Sequence, residues 1–463
     1  MPIEPPHLWP DTAAVNERGH LSIGGCDALA LAETYGTPLY VLDEATFRAQ
    51  CRLYRAALAR HYPGPGSVHY AGKALLNTAV AQLAAGEELG LDVVSGGELF
   101  VALRAGVPAE QIHLHGNAKP RAELEQALAA GVGKIMVDTL DELALLGQLC
   151  AGRARPQPVM LRLTPDIAAD THAHIQTGKA ASKFGLPLDA LDAAAARLAA
   201  APGLRLAGVH AHIGSQIFDY SAIERTIGVL LGCAALLRER HGLAADEISP
   251  GGGLGVPYTA DQPTPDADAF VAAIARATLE GSAARGMRPP ALVLEPGRSI
   301  VARAVVSLYR VVATKALPTP DDRPPTGDYE LSQSSVVGGW SSATRYLHID
   351  GGMADNIRPA LYGARYTALL ADRAVEPAEE TVHVAGRFCE SSDVLLRDVR
   401  LPHAQPGSLL ALAVAGAYTL SMASNYNLVP RPALVLARDG QARLIQRRES
   451  YEDLVARDLP LSP

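Results

Sequence analysis

Lys73 is the first residue in this sequence whose type and place suggest chemistry. It ends the apolar run in HYAGKALLN. An amine at the end of a buried strand is partly desolvated, which lowers its pKa, and the neutral amine is the form that joins a carbonyl as a Schiff base. A lysine at a strand end is also ordinary, so Lys73 needs company. His212 and Ser215 stand in HAHIGSQ. An imidazole there suits a planar ligand and a hydroxyl suits a phosphate, although a core histidine is the commoner use. His210 lies two residues earlier on the same side of an extended strand, and the residues alone do not rank the two. Gly251, Gly252, Gly253 and Gly255 form GGGLG, where bare backbone lets N–H groups approach a phosphate. A glycine cluster by itself usually means a turn. Glu295, Gly297 and Arg298 stand in EPGR. The carboxylate can keep a ring nitrogen protonated and the guanidinium fork can grip phosphate or carboxylate. A structural ion pair between loops is the plainer alternative.

Five more candidates come late in the chain. Arg358 and Tyr362 lie in IRPALYGARY, Cys389 and Glu390 in GRFCESSD, and Tyr418 in AGAYTLSMASNYN. Each has a mundane use: a surface ion pair for Arg358, a buried thiol for Cys389, a core aromatic for Tyr418. Cysteine is among the most buried residue types, which makes that reading of Cys389 a serious competitor.

These residues need a scaffold, and the apolar runs indicate one. Eight of them read as strands: SVHYAGK, LDVVS, QIHLHG, KIMVD, PVMLRLT, LAGVHAHIG, EISPGGG and ALVLEPG. Several are apolar on both faces, as buried parallel strands are. Stretches with helical spacing and terminal glycines, such as ELFVALRAG and ELEQALAAG, lie between them. Eight strand–helix units in series predict a (β/α)8 TIM-like barrel over residues 38–305, with a doubly wound open sheet as runner-up. Every candidate up to Arg298 then falls at the end of a strand, and the glycines fall in the loops after strands seven and eight, where barrels often bind phosphate. From residue 306 to 463, runs such as RYLHIDGG, TVHVAGRF and SLLALAVAG read as strands between turns, predicting a mostly β C-terminal domain. Residues 1–37 are expected to pack with it. Residues 317–343, rich in Pro, Gly, Ser and Asp, read as a surface loop inside it.

Composition narrows the function. The 463 residues suffice for a barrel and a second core. A net charge of -8 without a long basic run makes nucleic acid or an anionic membrane an unlikely main partner. The five cysteines include no CxxC pair, which argues against a zinc site or disulfide framework and suits a reducing, cytoplasmic setting. No secretory signal or spanning segment is expected.

Taken in order, YAGKA, DVVSGGEL, HGNAKP, THAHIQTGKAASKFG, HAHIGSQ, GGGLGVPY, EPGRS, DGGMADNIRPALY, CESSD, GAYTLSMASNYN and RRESYEDL resemble the fold-type III pyridoxal-phosphate decarboxylases, and within them the diaminopimelate decarboxylase family. The resemblance implies a barrel followed by a β domain. It implies that Lys73 holds pyridoxal 5'-phosphate covalently and that His212 lies against its ring. Ser215, Gly252, Gly253, Gly297 and Arg298 would cradle the phosphate, and Glu295 would partner the ring nitrogen. Tyr418 would touch cofactor and substrate. Arg298, Arg358 and Tyr362 would bind a substrate carboxylate, and Glu390 would read the far end of the substrate. Cys389 would give a proton across the interface of a homodimer with a shared active site. No metal is implied. The reaction implied is meso-2,6-diaminopimelate to L-lysine and CO2, the last step of lysine biosynthesis. The alternatives are a related decarboxylase of ornithine, arginine or carboxynorspermidine, and a non-enzymatic pyridoxal-phosphate-binding homologue. Polyamine members usually carry Cys-Asp where this chain has Cys389-Glu390, which favours diaminopimelate. One departure is Arg387, where the family usually has proline; losing a fixed φ predicts a less rigid cysteine loop.

Overall fold

The structure is a computed structural model that describes residues 1, 3–167, 183–317 and 344–461. Most of THAHIQTGKAASKFG, and the expected 317–343 loop apart from Leu317, lie outside the described residues.

The eight expected barrel strands all form: Gly66–Ala71, Gly90–Val93, Ile112–Leu114, Lys134–Val137, Gln157–Thr164, Leu204–His210, Glu247–Ser249 and Ala291–Leu294. Each pairs in parallel with the next, and the last pairs with the first, Leu292 opposite Gly66. That closure rules out the open sheet. The outward residues bury against the surrounding helices: Ile135, Val137, Val159 and Leu161 are almost fully buried in the main core. Their neighbours Met136 and Met160 form a separate small cluster with Ala207, as the two-residue period of a strand requires for an inward face.

Local chemistry explains the strand-to-helix turns. In DVVSGGEL, Ser95 Oγ accepts the Glu98 N–H (3.2 Å), while the Glu98 carboxylate reaches back to the Val94 N–H (2.8 Å). This reciprocal cap starts helix Gly96–Arg104 directly after the second strand. Asn77 and Thr139 cap their helices too, their side chains accepting the Val80 and Glu142 N–H groups.

The second sheet is mostly antiparallel, and it contains a strand that the sequence reading placed in the barrel. Leu39–Asp43 pairs antiparallel with Val305–Leu308 and parallel with Ala433–Ala437. All five of its residues are buried, so its apolar run reads like a barrel strand; only its partners distinguish the two. The barrel's first element is therefore helix Glu44–His61, capped by Asp43. The N-terminal segment forms a small three-stranded sheet that meets the second domain through Leu21 N–H to Ala371 O (2.8 Å) and Gly440 N–H to Gly24 O (2.7 Å). Among the described residues no helix is long and apolar enough to cross a membrane.

Candidate active site

A cavity of about 340 Å³ opens at the C-terminal ends of the barrel strands, where barrels carry their sites. Lys73, His212, Ser215, Gly253, Glu295, Gly297, Arg298 and Tyr418 all stand in its wall. Lys73 lies in the short turn Gly72–Ala74 that follows the first strand. Tyr70 Oη donates to Leu75 O (2.8 Å), and the second domain grips the same turn through Tyr418 N–H and Ser421 Oγ, both donating to Ala74 O (2.9 and 3.0 Å). The expected desolvation of Lys73 is not seen. Its side chain is exposed, because the turn carries it past the buried end of the strand into the cavity.

The two histidines left unranked by the sequence take different places. His210 is buried, with Nε2 3.0 Å from Glu295 Oε2. His212 is half-buried in the wall, close enough to the glycine loop that a Cβ on Gly251 would come within 2.7 Å of its Nδ1. A Cβ on Gly252 would overlap the Glu295 carbonyl oxygen, and one on Gly253, whose φ is +103°, would lie 2.6 Å from Gly214 O. Side chains are excluded here, so bare backbone lines this end of the cavity. Beside it, Arg298 Nε donates to Ser215 Oγ (3.1 Å), and the Arg298 guanidinium lies 4.8 Å from the Tyr418 ring centroid. Tyr418 holds a left-handed backbone at φ +59°, which costs a non-glycine residue energy and is common at functional sites. A hydroxyl, a guanidinium and bare backbone at one end suit a phosphate; an amine suits an aldehyde; a carboxylate suits a protonated ring nitrogen.

Burial alone would raise the Glu295 carboxyl. The His210 and His115 rings, with hydrogen bonds from His210 and from Ser249 Oγ (2.6 Å), outweigh it and hold Glu295 well below the usual range. Asp92, also in the wall, moves the other way, to about 8, pushed first by burial and then by the Glu295 charge. The two carboxyls of the site thus shift in opposite directions.

Residues 44–302 match the pyridoxal-dependent decarboxylase, pyridoxal binding domain family. The chain is 42% identical to the diaminopimelate decarboxylase of Bacillus subtilis, covering 97% of each chain. It is 40% identical to that of Mycobacterium tuberculosis, again covering 97% of each. The chain belongs to the diaminopimelate decarboxylase family. The crystal structure of the M. jannaschii diaminopimelate decarboxylase superposes with a TM-score of 0.86 at 34% identity, over 97% of this chain and 98% of that one.

Membership of the diaminopimelate decarboxylase family makes this a pyridoxal-dependent enzyme of the barrel-plus-β-domain type. The residues present fit that cofactor on the observations above. Other expected residues stand outside the cavity wall. Gly252 backs it. Arg358 is buried 4.3 Å over the Tyr258 ring. Tyr362 is half-buried, and Cys389 and Glu390 are exposed. In the Arg387 loop, the Arg387 N–H donates to Gly351 O (3.1 Å), a bond proline could not make. Asp393 accepts the Phe388 and Met353 N–H groups at 2.9 and 2.7 Å. The loop is held without proline.

Asp92, His115, Arg162 and Tyr258 were not singled out from sequence. Arg162 did carry a signal, being a charge inside the apolar run PVMLRLT; it packs 4.5 Å over Phe184. Asp92 and His115 sit in DVVSGGEL and HGNAKP, quoted for resemblance without roles.

Proposed function

We propose that this protein decarboxylates meso-2,6-diaminopimelate to L-lysine and CO2 with pyridoxal 5'-phosphate, the last step of lysine biosynthesis. One observation carries the reading: an amine, a carboxylate held ionised, and a glycine-and-arginine cradle converge on a single cavity. When bound there, the cofactor supplies an electron sink for the bond to the departing carboxylate. The chain's own residues do the rest. Lys73 offers the amine that holds the aldehyde and later releases the product. Glu295 keeps a proton on the ring nitrogen, and His212 lies against the ring. Ser215, Gly252, Gly253, Gly297 and Arg298 anchor the phosphate. Tyr418, set over Arg298, touches cofactor and substrate, while Arg298, Arg358 and Tyr362 take the carboxylate that the substrate keeps. Glu390 reads the ammonium beside it.

Cys389 returns a proton to the α-carbon. In one chain its thiol is exposed and outside the cavity wall. A homodimer in which the partner supplies Cys389 and Glu390 resolves this. Supporting that reading, the cysteine loop lies beside exposed apolar residues: Tyr426 Oη donates to Cys389 O (3.4 Å), Cys389 N–H donates to Asn427 Oδ1 (3.1 Å), and the next residue, Leu428, is 68% exposed. An exposed free thiol suits the cytoplasm. The deciding experiment is CO2 release from meso-diaminopimelate by purified protein, with and without added pyridoxal 5'-phosphate. Cofactor-dependent release, absent with ornithine or arginine, is expected; release from ornithine or arginine at a comparable rate overturns the substrate.

A further inference from the structure

Tyr258, in GGGLGVPY, is 3% exposed and belongs neither to the cavity wall nor to any role assigned above. It stands between the two arginines proposed to hold the substrate's remaining carboxylate. Arg298 Nη1 donates to its hydroxyl oxygen (2.7 Å), while the Arg358 guanidinium lies 4.3 Å from its ring centroid. The far side is buttressed. Tyr366 meets it edge to face, with ring centroids 5.2 Å apart at 84°, and the Tyr366 hydroxyl accepts from Arg358 Nη1 (2.5 Å). The backbone is pinned as well, since Gln262 Oε1 accepts the Tyr258 N–H (2.6 Å) and Tyr258 O accepts from Thr367 Oγ1 (3.1 Å).

Two buried guanidinium groups repel, and an unsupported pair would splay or draw in a counter-ion. A tyrosine between them answers both: its oxygen accepts from one and its electron-rich face attracts the other. Burial would raise the phenol, but the two arginine charges outweigh it and hold Tyr258 below the ordinary tyrosine range. Stacking also engages the face of Arg358 and leaves N–H groups on its edge for a ligand.

We infer that Tyr258 is a positioning residue that fixes the spacing and facing of Arg298 and Arg358, making them one clamp for the far carboxylate and so selecting substrates that carry it. The inference rests on the substrate reading above, and the test separates the two. L-lysine, the product, keeps that carboxylate; cadaverine lacks it. Binding of both to the holoenzyme is measured by calorimetry for wild type, Tyr258→Phe and Tyr258→Leu, alongside kcat and KM for meso-diaminopimelate. Tyr258→Phe, which keeps the ring and loses the acceptor, is expected to weaken L-lysine and raise KM together by about tenfold, with kcat within about threefold and cadaverine unmoved. Tyr258→Leu, which loses both contacts, should shift them about a hundredfold. Equal weakening of lysine and cadaverine, or no shift in lysine, overturns the clamp. Absence of turnover in the wild type overturns the substrate reading instead, while the lysine-to-cadaverine contrast still reads Tyr258.

Discussion

At the scale of residues, the site separates charge by environment. Glu295 and Asp92 share one buried region, yet the His210 and His115 rings and the hydrogen bonds around Glu295 pull its carboxyl down, while burial pushes Asp92 up. That is a usual way for a fold to hold an acid and a carboxylate side by side at one pH. Lys73 contributes differently, by reach: its exposed side chain stands in the cavity wall. Lys73→Ala is expected to remove the visible absorbance of covalently held pyridoxal 5'-phosphate and all measurable activity, while the far-ultraviolet circular dichroism stays that of wild type. Unchanged absorbance would mean that another amine holds the cofactor.

At the scale of elements, loops carry the chemistry and regular structure positions them. The second domain's segment around Tyr418 hydrogen-bonds directly to the lysine turn, so the two domains build one site. The Cys389 loop is secured by main-chain bonds from Arg387 and Phe388 rather than by a proline ring. Since the Arg387 side chain is exposed, Arg387→Ala is expected to leave kcat and KM within about twofold and stability within about 0.5 kcal/mol. A large loss of activity would show that the side chain, and not the backbone, serves the loop. Asp393→Ala removes the acceptor for two N–H groups and should cost about 1–3 kcal/mol in denaturant unfolding.

At the scale of the whole molecule, the proposed dimer predicts complementation. Lys73→Ala and Cys389→Ala proteins, each inactive, should regain up to about a quarter of wild-type activity per site when mixed, because hybrid dimers hold one intact shared site. No recovery despite proven hybrid formation would place Cys389 with its own chain's cavity. The barrel interior also sets a pH dependence. His69 and His113 stack 3.7 Å apart beside Asp92. Burial pushes His69 and His115 down to about 4 and lowers His113 and His210 as well. Unfolded histidines titrate near about 6.5, so between roughly pH 6.5 and 4 unfolding takes up protons. Stability from these rings is fully present above pH 6.5 and is lost as pH falls. Asp92, raised to about 8, has the opposite sign and loses stability as pH rises from about 4 to 8. Five lowered imidazoles, His212 included, outweigh the raised carboxyls Asp92, Glu98 and Glu142 below pH 6.5, so the thermal midpoint should climb from pH 4.5 to 6.5 and slip slightly by pH 8. A flat profile below pH 6.5 would contradict the burial of these rings as neutral species.

Sequence alone determined the eight barrel strands, the domain order and eight residues of the cavity wall, because buried parallel strands are continuous apolar runs and polar or glycine residues just past their ends line the barrel mouth. Tertiary structure decided what depends on partners. Leu39–Asp43 falls within the expected barrel bounds of 38–305 yet joins the other sheet, since an apolar run does not name its neighbour. His210 and His212 share a strand face in the sequence, and only the position of Glu295, just past the end of the eighth strand, set one against a carboxylate. Tyr258 draws no notice in the sequence, and its place appears only once two arginines, distant along the chain, close around it.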